Sequence, residues 1–130
     1  MPTRSQPPRA RPLLVVAPSP TERGELFAGL EARDGFEIVY AGTVGEAVQA
    51  LRDRPVALLI AAPELPAAEV TALLASKEKV RPALPVLVIR NRQSEEPAGW
   101  ERPGVGVLRR PLLPEALGRS VEVVLGLKTT

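Results

Sequence analysis

Cysteine and histidine are both absent from this 130-residue chain, and aspartate occurs only twice, as Asp34 and Asp53. Without Cys and His, the chain has no thiol nucleophile, disulfide, Cys/His zinc site or imidazole general base. Aromatic residues make up only 3% of the chain, which leaves few rings for stacking on nucleic-acid bases. We therefore expect neither a nucleic-acid partner nor a metal site of the Cys/His type.

Long hydrophobic runs are also missing. The longest, residues 56–62, is far shorter than the roughly 20 residues that cross a bilayer. The apolar run at residues 13–17 is too short for the core of a signal peptide. We predict a cytoplasmic protein without a membrane association.

The chain contains enough apolar residues to form a core. Hydrophobic residues make up 45% and charged residues 25%, which is typical of one globular domain. Residues 1–12 differ from the rest, because they hold three arginines and four prolines. We predict a disordered leader at residues 1–12, a folded domain of near-neutral charge at 13–126 and a short tail at 127–130. We expect no output domain after the last helix, so the domain stands alone or is joined to a longer chain through its leader.

Short apolar runs alternate with segments of helical period. Four of the five strand candidates are nearly continuous apolar runs, which indicates strands covered on both faces, as in a parallel sheet. The candidates are residues 13–16, 36–40, 56–61, 86–89 and 105–108.

Helix signals lie between the strand candidates. The runs SPTE at 19–22 and TVGE at 43–46 are capping-box patterns that predict two helix starts. Two further helices are predicted at about 67–77 and 114–125, the last with Leu117, Val121, Val124 and Leu125 inward. Pro97 and Pro103 limit the segment 93–104 to a short or irregular helix.

This alternation predicts a doubly wound α/β sandwich, in which a five-stranded parallel sheet has helices on both faces. In such a fold, ligands bind beyond the carboxyl ends of the strands. The residues at these ends are therefore the candidates for a functional site.

The same segments, in the same order, resemble the receiver domain of bacterial response regulators. The resemblance runs from about Leu13 to Leu125, through LLVVAPSP, FEIVYAGTVGEAVQAL, PVALLIAAPELP, LPVLVIRN and GVLRRPLLPEAL. It implies a flavodoxin-like fold with the strand order 2-1-3-4-5 and a role in two-component signal transduction. In that family an aspartate accepts a phosphoryl group next to Mg²⁺. It also implies that the bond between Arg110 and Pro111 is cis.

The resemblance carries the family's pocket onto residues that lack its chemistry. The acidic pair falls on Ala17 and Pro18, and the phosphoacceptor, four residues before Pro66, falls on Ala62. The switch hydroxyl falls on Arg90 and the switch aromatic on Val107. Arg110 stands where the family has lysine. We therefore expect no catalytic residue, no Mg²⁺ and no cofactor.

Two arginines at the strand ends give a second hypothesis. Arg90 and Arg110 at the degenerate pocket form a candidate anion-binding site, because guanidinium groups pair with oxyanions through two hydrogen bonds. No glycine-rich phosphate loop accompanies them. The alternative is that both side chains are solvated or pair with Glu64, Glu95 or Glu96.

Receiver domains also act through a protein-binding face. Here the resemblance places that face on Trp100, Arg102, Val107, Arg109, Leu112, Leu113 and the last helix. Trp100 is either an exposed anchor for a partner or a residue that caps the core.

The leading hypothesis is a non-enzymatic pseudo-receiver, a monomer or weak homodimer that binds a signalling protein without being phosphorylated. The alternative is a sensor of a small anionic ligand or nucleotide that uses the basic crevice.

Overall fold

The computed structural model describes residues 11–33, 35–92, 100, 103–112 and 114–126. Its centre is a five-stranded parallel sheet in the order β2-β1-β3-β4-β5. The predicted fold class and strand order are therefore confirmed. The strands are β1 (Arg11–Val16), β2 (Phe36–Ala41), β3 (Leu58–Ala61), β4 (Val86–Arg90) and β5 (Val105–Arg109).

Four helices among the described residues cover the two faces of the sheet. They are α1 (Pro20–Glu31), α2 (Val44–Asp53), α3 (Ala67–Val80) and α4 (Pro114–Val124). Buried residues of α1 and α4 belong to one apolar cluster, and those of α2 and α3 belong to the other. All residues of β3 and β4 are buried, as expected for strands between two helical layers.

The predicted capping box at the start of α2 is present. Thr43 Oγ1 accepts a hydrogen bond from the backbone N–H of Glu46 at 3.1 Å. The Glu46 carboxylate in turn accepts from the N–H of Gly42 at 2.8 Å, one residue before the cap. The first bond satisfies a backbone donor that the helix itself leaves unpaired, and the second ties the residue before the cap to the first turn.

Some element bounds differ from the prediction. β1 begins at Arg11, so Arg11 and Pro12 belong to the sheet and not to the predicted leader. Arg11 pairs with Phe36, and the Pro12 carbonyl accepts from the N–H of Ala57 at 2.8 Å. Backbone bonds to strands on both sides thus extend β1 beyond its apolar run. Conversely, β3 begins two residues later than predicted, at Leu58.

The ends of two helices also differ. α3 continues to Val80, past the predicted end at residue 77. On α4, Val124 was predicted to face inward but is 36% exposed, whereas Leu117 and Val121 are buried as predicted. Three predicted segments lie wholly or mostly outside the described residues. They are the leader, of which residues 1–10 are not described, the short fourth helix, of which 93–99 and 101–102 are not described, and the tail at 127–130.

Candidate functional site

The carboxyl ends of β1 and β3 bring the pocket positions together. The N–H of Ala62 donates to the Val16 carbonyl at 3.0 Å, so Ala62 lies beside the end of β1, next to Ala17. Both alanines are fully buried, whereas Pro18 is exposed. These are the strand ends at which the sequence predicted the degenerate pocket.

The side chains at these positions offer nothing to a metal or a phosphoryl group. Mg²⁺ prefers carboxylate and other oxygen ligands in octahedral geometry. Ala17, Pro18 and Ala62 have no side-chain oxygen, so these residues do not fit the ion. In the part of the chain that the structure describes, no group of three or more acidic residues is placed to hold a metal. Asp53 ends α2, and Asp34 lies outside the described residues.

Arg23 is a cation at this edge that the sequence analysis missed. Its Nε donates to the Ala17 carbonyl at 2.9 Å, and its guanidinium lies 4.8 Å from the centre of the Tyr40 ring. The Tyr40 hydroxyl donates to the Glu31 carboxylate at 2.7 Å. Burial and this hydrogen bond raise the pKa of Tyr40, and the charge of Arg23 opposes the shift. Only the approach of α1 to the ends of β1 and β2 reveals this contact, because nothing in the local sequence marks it.

Arg90 does not lie in an open crevice. Only 7% of its surface is exposed, and its Nη1 donates to the Leu65 carbonyl at 2.8 Å. Its guanidinium lies 5.5 Å from the centre of the Trp100 ring. Burial and the charge of Arg109 lower the pKa of Arg90. Arg90 was predicted as one half of an anion site, but its guanidinium contacts Leu65 and Trp100 inside the fold.

Comparison with solved structures identifies the architecture. The receiver domain of the hybrid histidine kinase CckA is 25% identical to the chain with a TM-score of 0.69, and the match covers 88% of this chain and 98% of that one. The fold is that of a response regulator receiver domain. NtrX from Brucella abortus, solved in complex with ADP, is 27% identical with a TM-score of 0.74, over 90% of this chain and 26% of NtrX.

A third solved structure agrees with this fold at lower identity. Chemotaxis protein CheY4 from Vibrio cholerae is 20% identical with a TM-score of 0.72, over 88% of this chain and 98% of that one. No protein-family model matches the chain, and no curated protein matches it by sequence.

Arg110, the other half of the predicted anion site, follows β5 directly. Arg110 is half-buried, and its N–H donates to the Arg90 carbonyl at 2.9 Å. The bond between Arg110 and Pro111 is cis, as the resemblance implied. Arg109 Nη1 donates to the Asn91 carbonyl at 3.0 Å. These contacts bring Arg90, Arg109 and Arg110 together at one edge of the sheet, with the Arg90 side chain directed inward.

Trp100 is a core residue, which corrects its assignment to the protein-binding face of the receiver domain. It is 1% exposed, and its Nε1 donates to Thr71 Oγ1 on α3 at 3.0 Å. An aromatic residue between prolines and polar residues suggested an exposed anchor, but a large ring gains more by burial when its N–H has an acceptor.

The rest of the predicted face is only partly described. Val107 and Leu112 are half-buried against the two apolar clusters, whereas Arg102 and Leu113 lie outside the described residues. An apolar groove of about 300 Å³ between the sheet edge and α4 was not predicted. Val123, on its rim, is 72% exposed. The groove is lined by Leu87, Leu108, Arg119, Ser120, Val123 and Val124.

None of the helices among the described residues is long and apolar enough to cross a membrane.

Proposed function

We propose that the chain is a pseudo-receiver, a signalling module that acts in the cytoplasm by protein contact and without aspartyl phosphorylation. The observation that carries the proposal is Ala62, a fully buried alanine at the end of β3. Phosphoryl transfer to a receiver requires a carboxylate nucleophile, and a methyl group has no lone pair with which to attack. The proposal assigns no catalysis to this chain.

The residues next to Ala62 also support a function without phosphorylation. A receiver that binds Mg²⁺ needs oxygen ligands near the phosphoacceptor, and Ala17 and Pro18 supply none from their side chains. The cation closest to Ala17 among the described contacts is Arg23, whose Nε is bound to the Ala17 carbonyl. A fixed guanidinium next to this position further disfavours a divalent cation, because like charges repel.

The groove between β5 and α4 is the surface that we propose for the partner. Val123 and Val124 are exposed at its rim, although burying a valine side chain stabilises a contact by roughly 1.5–3 kcal/mol. Arg119 lies on the same rim and is exposed. A partner that inserts an apolar side chain beside a carboxylate would complement both features, since arginine pairs well with carboxylates at interfaces.

The alternative function, an anion sensor at Arg90 and Arg110, has weaker support. Arg90 is buried, and its Nη1 is bound to Leu65, so a ligand would have to break an internal hydrogen bond to reach it. Addition of inorganic phosphate or nucleotides should therefore leave the melting temperature unchanged. A rise of several degrees that is lost in Arg110→Ala would favour the sensor instead.

Incubation with a phosphodonor tests the proposed function directly. We expect the intact mass and the Trp100 emission to stay unchanged with acetyl phosphate or beryllofluoride in the presence of Mg²⁺. A receiver domain with an intact acidic pocket, treated in the same mixture, is the positive control. A mass increase of one phosphoryl group in this chain would refute the proposal.

Binding at the groove is tested with a matched pair of charge substitutions. Val123→Glu puts a carboxylate on the groove, and Ala75→Glu puts one on the exposed side of α3. We expect Val123→Glu to abolish retention of the protein partner captured by the wild-type chain, and Ala75→Glu to retain it. Equal retention by both variants would exclude the groove as the binding surface.

A further inference from the structure

Arg90 is a buried charge at the carboxyl end of β4. Among the described residues no carboxylate pairs with it, and its buried Nε has no hydrogen-bond acceptor. Removing a guanidinium from water without an anionic partner is costly, and an unsatisfied buried N–H adds to the cost. Such a group persists only where the surrounding contacts compensate for it.

Two contacts hold the guanidinium, and they come from different parts of the fold. Nη1 donates to the carbonyl of Leu65, in the turn after β3. That turn starts at the phosphoacceptor position, since the N–H of Leu65 donates to the Ala62 carbonyl at 3.1 Å. The other contact is with Trp100, which precedes β5 along the chain.

Trp100 connects this cation to α3. Its Nε1 donates to Thr71 Oγ1, and the Thr71 hydroxyl donates to the Ala67 carbonyl at 3.0 Å within the first turns of the helix. Leu65, Arg90, Trp100 and Thr71 thus form a continuous set of contacts. It runs from the turn after β3, across the end of β4, to the residues that lead into β5 and back to α3.

We propose that these four residues form a clasp, called here the Arg90 clasp, which fixes the turn after β3 relative to the entry into β5. The clasp goes beyond the proposed function, because it assigns a conformational role to a charge that the phosphorylation chemistry does not use. It holds the carboxyl end of β4 in one arrangement, on the α3 side of the sheet, without any modification at Ala62.

The clasp should open as a unit. A charged donor makes a stronger hydrogen bond than a neutral one, and a guanidinium over an indole ring gains further attraction in a desolvated site. If either contact is lost, the buried charge keeps its desolvation cost with less compensation. A substitution at Trp100 should therefore weaken the hydrogen bond of Arg90 to Leu65. A substitution at Arg90 should change the surroundings of both Trp100 and Leu65.

The experiment reads the two sides of the clasp separately. Trp100 is the single tryptophan of the chain, so its emission and its quenching by acrylamide report on that side alone. Hydrogen exchange of the Leu65 amide reports on the turn after β3. In Arg90→Met we expect a red shift and stronger quenching of Trp100, with about tenfold faster exchange at Leu65, the change expected for loss of one charge-assisted hydrogen bond.

Trp100→Phe tests the coupling from the other side. It keeps an aromatic face for the cation but removes the N–H bonded to Thr71, and phenylalanine offers a weaker cation–π contact than tryptophan. We expect faster exchange at Leu65 in this variant also, by a smaller factor than in Arg90→Met.

Arg81→Met is the matched control, because it also removes a guanidinium bound to backbone carbonyls. Arg81 donates to Leu51, Arg54 and Val56, at the opposite end of the sheet. We expect it to lower stability while leaving Trp100 emission and Leu65 exchange under native conditions at wild-type values. The same changes in Arg81→Met as in Arg90→Met would reduce the effect to general destabilisation and overturn the clasp.

Two further results would overturn it. One is wild-type exchange at Leu65 in Arg90→Met, and the other is unchanged emission and quenching of Trp100 in that variant. If Arg90→Met does not fold, Arg90→Lys keeps the charge without the forked donor. Trp100 emission and Leu65 exchange in Arg90→Lys, together with Leu65 exchange in Trp100→Phe, then decide the question. Phosphorylation of the wild-type chain would refute the proposed function without altering any of these readings.

Discussion

Gly118 lies in the middle of α4, at the point where Arg33 crosses the helix. A Cβ atom added to Gly118 would lie 2.6 Å from Arg33 Nη1 and 3.1 Å from its Cζ. Arg33 also forms an ion pair with Glu122, one turn further along α4. Gly118→Ala therefore has two opposite effects on the free energy of unfolding.

The favourable effect is the gain in helix propensity, about 1 kcal/mol for alanine over glycine in a helix interior. The unfavourable effect is the displacement of Arg33, whose side chain is 34% exposed, from Glu122, which is 15% exposed. A partly exposed ion pair contributes roughly 0–1 kcal/mol. Since the displaced atoms are the flexible end of a long side chain, we expect Gly118→Ala to be neutral to about 1 kcal/mol more stable.

A double-mutant cycle separates the two effects. In an Arg33→Ala background the added methyl group meets no guanidinium, so Gly118→Ala should there stabilise by the full amount of about 1 kcal/mol. Urea unfolding followed by circular dichroism measures both values, and thermal melts should differ by about 3–6 °C in that background.

A large loss of stability in Gly118→Ala would contradict this expectation. If Gly118→Ala lost more than about 1 kcal/mol and Arg33→Ala did not relieve the loss, the methyl group would be meeting something more rigid than Arg33. The described packing of α1 on α4 would then be wrong.

Three further predictions concern the pocket positions, the Tyr40 hydroxyl and the cap of α2. Installing aspartate at Ala17, Pro18 and Ala62 together should restore phosphorylation by acetyl phosphate in Mg²⁺, read as intact mass; no reaction in a folded variant would mean that the pocket differs in more than its carboxylates. Tyr40, the single tyrosine, should ionise above its ordinary pKa of 10 when its ultraviolet absorbance is followed against pH. Because its pKa is raised in the folded state, its contribution to stability is full below pH 10 and is lost as the pH rises further. Ionisation at the ordinary pKa would contradict its burial and its bond to Glu31. Thr43→Ala should cost about 1 kcal/mol in urea unfolding through loss of the α2 cap, whereas Thr43→Ser should cost little.

The fold was predictable because its signals are local. Continuous apolar runs mark β3 and β4, and the pattern at Thr43–Glu46 defines the start of α2 through bonds within four residues. The order of the strands came from the resemblance to receiver domains, because right-handed connections allow more than one order in a doubly wound sheet. Bounds were less predictable, because Arg11 and Pro12 join β1 through bonds to Gly35 and Ala57, which are distant in the sequence.

The candidate site divides in the same way. Ala17 and Ala62 were predicted to lie together at the strand ends, and they do, because their places are set by the ends of strands that the sequence marks. The directions of the Arg23 and Arg90 side chains were not predictable, because a long flexible side chain can point to solvent or into the fold from the same backbone position. Which of these happens depends on acceptors elsewhere, the Ala17 and Leu65 carbonyls.

The sequence by itself determined that this chain has a doubly wound parallel sheet, and that its pocket positions hold alanine and proline where a receiver has carboxylates. The first follows from local pattern, and the second from residue identity together with the resemblance to receiver domains. Only the tertiary structure decided that Trp100 is in the core, that Arg90 is buried against it and that Val123 is exposed beside a groove. The physical reason is that burial and hydrogen bonding of a side chain depend on the elements packed around it, and these come from parts of the chain far apart in the sequence.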